Sequence, residues 1–157
     1  MHFAEYDSPV GKLILCSDGK ALKGLGFGAA VPEVTEEDAV LALARQWLEA
    51  YFRGEQPAAP VPLDPEGTDF QKQVWQMLSE IPYGQVTTYG QLARRFPGKL
   101  SAQAIGRAVG KNPIALLIPC HRCIGAKGRL TGYAWGLEKK QWLLELEQKG
   151  RTSQWVL

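Results

Sequence analysis

From Gln85 to Gly132 the sequence has no Asp or Glu at all. The same stretch carries Arg94, Arg95, Lys99, Arg107, Lys111, Arg122, Lys127 and Arg129. Across all 157 residues, 18 Lys and Arg nearly balance 16 Asp and Glu, so the formal net charge is only +2. That total neither suggests nor excludes a polyanionic partner, but an acid-free stretch this long favours one. Other shortages are informative too. No apolar run approaches the roughly 18 residues that cross a bilayer, so a membrane protein is not expected. Met1 to Tyr6 lacks a basic segment followed by an apolar stretch, so no secretory signal is expected. There are three cysteines, an odd number without a paired framework, and the cytosol is the expected compartment. Hydrophobic residues at 45% and charged residues at 22% exclude a disordered chain. The length suits one ordinary domain or two small ones sharing a core. There is no internal repeat and no low-complexity tract.

The first segment reads as a small antiparallel meander. Phe3–Tyr6, Lys12–Cys16 and Leu22–Phe27 are separated by the turn signals Ser8-Pro9-Val10-Gly11 and Ser17-Asp18-Gly19-Lys20. A helix follows, with Thr35 as the expected cap and Glu36, Glu37 and Asp38 in its first turn. Val40, Leu41, Ala44, Trp47, Leu48 and Tyr51 recur at helical spacing, and Gly54 is the expected stop. Gln56 to Pro65 holds four prolines and reads as a linker.

The second part reads as mainly helical. Thr68 is placed to cap a helix bearing Phe70, Val74, Trp75 and Leu78, ended by Ile81-Pro82-Tyr83-Gly84. Thr88 is placed to cap a short helix through about Phe96, with Leu92 and Phe96 inward. Pro97-Gly98-Lys99 is a tight turn, and Ser101 then caps a small-residue helix to about Lys111. Two short helices joined by a Gly-containing turn fit either a helix-turn-helix or an ordinary αα corner.

Ala115-Leu116-Leu117-Ile118 reads as a buried strand, and it runs directly into Pro119-Cys120-His121-Arg122. A cysteine beside a histidine in a basic region has the ingredients of an activated thiol, since the thiolate is the nucleophile. A buried, inert cysteine next to a structural histidine is the plainer alternative. His2 sits at the terminus, so any cysteine–histidine chemistry falls to His121. Cys120 and Cys123 also form a Cys-x-x-Cys spacing, which leaves a redox dithiol open. Zinc is not expected, because no second cysteine pair supplies the remaining ligands.

Ile118-Pro119-Cys120-His121-Arg122, with Gly110-Lys111-Asn112-Pro113 before it and Gly125 and Leu130-Thr131-Gly132-Tyr133 after it, resembles the methylated-DNA–protein-cysteine methyltransferases. These are the O6-alkylguanine-DNA alkyltransferases. The resemblance continues in Gly67-Thr68-Asp69-Phe70-Gln71, Val74-Trp75, Ile81-Pro82-Tyr83-Gly84, Thr88-Tyr89-Gly90-Gln91-Leu92-Ala93 and Lys140-Gln141-Trp142-Leu143-Leu144 with Glu147. It covers nearly all of residues 67–149 and, more loosely, the N-terminal meander.

The resemblance implies an α/β (α+β) chain. Residues 1–66 would be a small ribonuclease-H-like antiparallel sheet domain in a supporting role. Residues 67–157 would be a helical, winged-helix-like domain with a helix-turn-helix that binds DNA and accepts the alkyl group. The implied reaction is single, irreversible transfer of an alkyl group from O6 of guanine, or O4 of thymine, to Cys120. His121 and Glu147 match the proton-relay partners, Asn112 the brace of the site, and Tyr89 the residue that assists base rotation and protonates the leaving guanine. Tyr89, Val109, Tyr133, Ala134 and Trp135 fall on the base pocket. Thr88, Ser101, Ala102, Gln103, Arg107, Lys111 and Arg122 fall on the DNA-binding surface. The helix from Ser101 to Lys111 matches one that enters the minor groove, and its small residues Ala102, Ala104, Gly106, Ala108 and Gly110 suit a close approach. An alkylated guanine in a duplex must be flipped out to react. The implied partner is double-stranded DNA holding O6-alkylguanine, bound by a monomer, with cooperativity on DNA left open. No cofactor, metal or membrane is implied.

Three positions depart from the family pattern. Gln103 stands where many relatives have an arginine that fills the gap left by the flipped base, and Arg107 follows one turn later. Trp135 stands where many have glycine, and Cys123 replaces a usual aliphatic residue. Two other function classes remain as alternatives: a non-catalytic protein that flags alkylated bases, and a helix-turn-helix regulator. The first usually lacks the acceptor cysteine, and the second lacks a visible dimerisation or effector segment here.

Overall fold

The computed structural model describes residues 1–57, 61–98 and 100–148. The chain forms two compact units: one of Met1–Glu66 with Pro113–Leu117, the other of Gly67–Asn112 with Ile118 onward.

In the first unit, β1 (His2–Ser8), β2 (Gly11–Ser17) and β3 (Leu22–Phe27) form an antiparallel sheet in the order β1-β2-β3. Period-two alternation puts Ala4 opposite Leu15 and Leu15 opposite Leu25, and all three are buried. Helix α1 (Ala39–Phe52) covers that face with Val40, Leu41, Ala44, Trp47, Leu48 and Tyr51, the residues whose spacing marked it. Its start differs from expectation. Asp38 is the cap, its carboxylate accepting from the Leu41 amide at 2.8 Å. Thr35 lies three residues too early and serves β1 instead, accepting from Phe3 N at 2.8 Å and donating to Phe3 O at 3.3 Å.

The outer edge of β3 is paired by two short passages. Leu22 N donates to Pro62 O at 2.8 Å and Asp64 N to Leu22 O at 2.9 Å. Leu25 N donates to Pro113 O at 2.9 Å and Ala115 N to Leu25 O at 2.8 Å. Part of the proline-rich linker is therefore a sheet-edge cover, and Ala58 to Pro60 lie outside the described residues. The strand expected over Ala115–Ile118 is instead a buried turn with one bridge residue, Ile114. Pro113 and Pro119 bracket it and cannot extend a ladder. Leu116 takes φ of 69°, and Leu117 N reaches back to Ala115 O at 2.8 Å. The run is apolar because it is buried, not because it is a strand.

In the second unit, α2 (Asp69–Ser79) begins in a reciprocal capping box of Thr68 and Gln71. It buries Val74, Trp75 and Leu78. The Trp75 indole N–H donates to Ala108 O at 2.8 Å, tying α2 to α4. A second capping box, Thr88 with Gln91, opens α3 (Tyr89–Arg94). Ser101 caps α4 (Ala102–Gly110) by accepting from Ala104 N at 3.1 Å. The α3–turn–α4 pair has the helix-turn-helix form; Gly98 in the turn has φ of 85°, and Lys99 lies outside the described residues. A parallel pair, β4 (Thr87–Thr88) with β5 (Cys123–Ile124), joins the start of α3 to the segment after Cys120. Helix α5 (Leu137–Gln148) packs Leu144 on Ile124 and Leu130. No helix among the described residues is long and apolar enough to cross a membrane.

Candidate functional site

Cys120 opens a single 3-10 turn, Cys120–Arg122, directly after Pro119. The Asn112 amide donates to Ile118 O at 2.8 Å and also hydrogen-bonds the Cys120 sulfur, which fixes the turn that presents it. Cys120 is only 4% exposed. Burial holds its thiol above the ordinary cysteine value, against the opposing pull of Asn112, the charge of Lys140, and the backbone N–H groups of Cys120 and His121. The resting group is a thiol, in a setting that offsets part of the cost of ionising it.

His121 is fully buried, and its Nε2 lies 2.6 Å from Glu147 Oε2. Glu147, on α5, also accepts from Arg122 Nε at 2.8 Å, Arg122 NH2 at 3.1 Å and Gly84 N at 3.1 Å. Those donors and the His121 contact keep the Glu147 carboxyl far below the usual carboxylate range despite its burial. Arg122 already neutralises that carboxylate, so burial prevails at His121 and lowers its pKa below the ordinary histidine value. The neutral imidazole thus donates from Nε2 to Glu147 and keeps Nδ1 as a proton acceptor.

Arg122 needs a correction. Placed in sequence among the DNA-binding residues, it is 8% exposed and committed to Glu147, with NH1 donating to Ile81 O at 2.7 Å and its guanidinium 5.8 Å from the Tyr83 ring centroid. A buried carboxylate needs a bidentate partner more than the surface needs one more cation.

Beside Cys120 opens a cavity of about 750 Å³. Its walls are Tyr89 of α3, Ala102, Gln103, Gly106, Arg107, Val109 and Gly110 of α4, and the segment Thr131–Trp135. Every expected pocket residue, Tyr89, Val109, Tyr133, Ala134 and Trp135, is among them. The Tyr89 hydroxyl donates to Thr131 O at 2.9 Å. Burial pushes its phenol well above the usual tyrosine value, so it stays protonated. Tyr133 and Trp135 meet edge to face, with centroids 5.4 Å apart. The Tyr133 hydroxyl is buried and has no hydrogen-bond partner among the described residues, an atom a bound ligand would satisfy.

The other expected surface residues divide. Ala102, Gln103 and Arg107 line the cavity and are exposed, whereas Lys111 is exposed at the end of α4 and does not line it. Thr88 and Ser101 are occupied as helix caps. Arg94, Lys127 and Arg129 are exposed, while Arg95 pairs with Glu80 at 2.6 Å. Cys123 is fully buried in β5, and burial pushes its thiol up to about 12. No group of three His, Cys, Asp or Glu side chains suited to a metal occurs among the described residues.

Lys140 is the residue that sequence reasoning passed over. It is 0% exposed, and its Nζ donates to Gly132 O at 3.0 Å and Thr131 O at 3.4 Å. The signal was present: Lys140, Leu143, Leu144 and Glu147 recur at i, i+3, i+4 and i+7, the inward face of α5.

The family model described as the 6-O-methylguanine DNA methyltransferase DNA binding domain matches residues 69–149. The model for the ribonuclease-like domain of the same proteins matches residues 1–65. A methylated-DNA–protein-cysteine methyltransferase of Methanosarcina acetivorans is 46% identical over 153 residues, covering 94% of this chain and 98% of that one. That of Haemophilus influenzae is 43% identical over 155 residues, covering 94% and 87%. The crystal structure of Mycobacterium tuberculosis OGT in complex with DNA superposes with a TM-score of 0.86 at 43% identity, covering 94% of this chain and 93% of that one. With both halves matched and relatives this similar along almost the whole length, the chain belongs to the 6-O-methylguanine DNA methyltransferase family.

Proposed function

We propose that this protein repairs alkylated DNA by direct reversal, with Cys120 as the acceptor of an alkyl group from O6 of guanine, or O4 of thymine. The observation that carries the assignment is the juxtaposition of a buried cysteine, a neutral histidine fixed on an ionised glutamate, and an open cavity that the cysteine lines. Membership of the family supplies the reaction class. The thiol proton leaves toward His121, whose other nitrogen is anchored on Glu147. Sulfur attacks the alkyl carbon in line, the S–C bond forms, and the C–O bond breaks. The departing guanine takes a proton from Tyr89, which burial keeps protonated until the leaving base is there to receive it. Tyr89 must first exchange its bond to Thr131 O for one to the base. The product is a thioether without a leaving group, so each molecule reacts once.

The partner is double-stranded DNA, and the domain that engages it is 67–157, with 1–66 in support. Helix α4 enters the minor groove, its bare face of Ala102, Gly106 and Gly110 allowing close approach. Gln103 fills the space left by the flipped base, and Arg107 and Lys111 contact phosphates. The rotated base stacks between Tyr133 and Val109, with Ala134 and Trp135 closing the pocket. The protein works as a cytoplasmic monomer without metal or cofactor. The test is a titration of duplex DNA containing O6-methylguanine. Repair that plateaus at one lesion per protein molecule supports the reading. Tight lesion binding that leaves the methyl on the base would make the protein a non-catalytic flag and overturn it.

A further inference from the structure

Lys140 is a cation with no ionic partner among the described residues, yet it is wholly buried. Its Nζ is held by two carbonyls of the pocket wall, Thr131 and Gly132, and lies 5.8 Å from the centroid of the Tyr89 ring. Tyr89 donates to the same Thr131 carbonyl, so the lysine and the tyrosine converge on one oxygen. A buried cation without a counter-ion is costly, and a fixed positive charge lowers the cost of negative charge developing within its reach. We propose that Lys140 is a positioning residue of the transfer reaction, fixing the Thr131–Gly132 wall and turning its uncompensated charge toward the sulfur of Cys120.

This rests on Cys120 being the alkyl acceptor. The groups whose charge or hydrogen bonds act on that sulfur are few. Asn112 braces it, His121 with Glu147 stands on the proton-relay side, and Tyr89, Tyr133 and Cys123 are uncharged at neutral pH. Arg122 is spent on Glu147. Lys140 is left as the cation whose charge is coupled to both thiols, to Cys123 first and to Cys120 second. Burial lowers its own pKa, and the two thiols oppose that shift, which is the reciprocal effect expected of a cation and an incipient thiolate. When Cys120 ionises, the buried charge gains its partner; when the sulfur is alkylated, it loses it. Lysine at this position therefore favours the ionised sulfur that attacks over the resting thiol and the thioether product.

The experiment compares native protein with Lys140→Met and Lys140→Arg. Two readouts are used: single-turnover transfer from O6-methylguanine duplex at saturating DNA, and the pH midpoint of Cys120 alkylation by iodoacetamide, read on the Cys120 peptide. Lys140→Met is expected to slow transfer at least about tenfold and raise the midpoint by about one pH unit, with DNA half-saturation changed less than about threefold. Lys140→Arg should restore most of the midpoint. Unchanged transfer and midpoint in a folded Lys140→Met protein would overturn the proposal. If that variant does not fold, the native protein decides by NMR. The Lys140 side-chain resonance must shift with the Cys120 midpoint, and a resonance indifferent to it overturns the proposal. Failure of the native protein to transfer methyl at all would instead reject the acceptor assignment, while the iodoacetamide midpoint remains readable.

Discussion

Cys120 and Glu147 are both buried, and burial acts on them with opposite results because only one has strong donors. The sulfur has the Asn112 amide, the charge of Lys140 and two backbone N–H groups, and burial outweighs them, so it rests as a thiol. The carboxylate has Arg122, Gly84 N and His121, so it stays ionised. Replacing Glu147 with Gln leaves Arg122 buried without its counter-ion and should lower stability by about 3–5 kcal/mol. Chemical denaturation would measure this, and transfer should slow with it. The same cluster sets a pH dependence. The folded-state pKa values of His121 and Glu147 are both depressed. Their contributions are therefore complete above the ordinary values of 6.5 and 4.5 and are lost as pH falls, first through His121 and then through Glu147. Denaturant melts should show stability level above about pH 7 and declining below it. The Glu147→Gln variant should lack the steeper loss below about pH 4.5. Trp135 lines the pocket and sits edge to face against Tyr133, a bulk that glycine would lack. Trp135→Gly should react faster with free O6-benzylguanine while methyl transfer stays close to native; equal benzyl reactivity in the two proteins would contradict that role.

At the scale of elements, α4 sets local stability against access. Gly106 is mid-helix, where glycine costs roughly 0.5–1 kcal/mol relative to alanine. A Cβ there would meet only the Tyr89 ring, at 3.8 and 3.9 Å, an ordinary contact. Gly106→Ala should therefore stabilise the free protein by up to about 1 kcal/mol in thermal or denaturant melts. It should also slow single-turnover transfer, because the helix loses part of its bare face and crowds Tyr89. The elements also show what the sequence made legible. Thr68, Thr88 and Ser101 were readable as caps because a cap is a local event within three residues. Thr35 was not, because Asp38 competes for the same role and β1 takes the threonine hydroxyl. The apolar run 115–118 misled because period-free burial looks alike in a strand and in a buried turn. Arg122 misled and Lys140 was passed over for a shared reason: charged side chains are expected in water, so the helical spacing that puts Lys140 on the face of Leu143, Leu144 and Glu147 was not read as burial, and only the placement of Glu147 shows why Arg122 points inward.

Over the whole molecule the near-neutral total hides a segregated charge. Among the described residues, the acid-free stretch loses Arg122 to the interior and Arg95 to an ion pair, and leaves Arg94, Arg107, Lys111, Lys127 and Arg129 exposed. If about three to five of these meet phosphates, log affinity for duplex DNA should fall against log salt with a slope of about −3 to −5. Arg107→Ala should flatten that slope by about one. A salt-independent affinity would contradict an electrostatic contact with the backbone. The central claim concerns one sulfur atom, and a peptide map after reaction with O6-methylguanine duplex tests it most directly. Trypsin cleaves after Arg122, so Cys120 and Cys123 fall on separate peptides. The account predicts one methyl group on the Cys120 peptide and none on the peptides holding Cys123 or Cys16. Methyl found on either of those, or on no cysteine while the lesion disappears from the DNA, would contradict it.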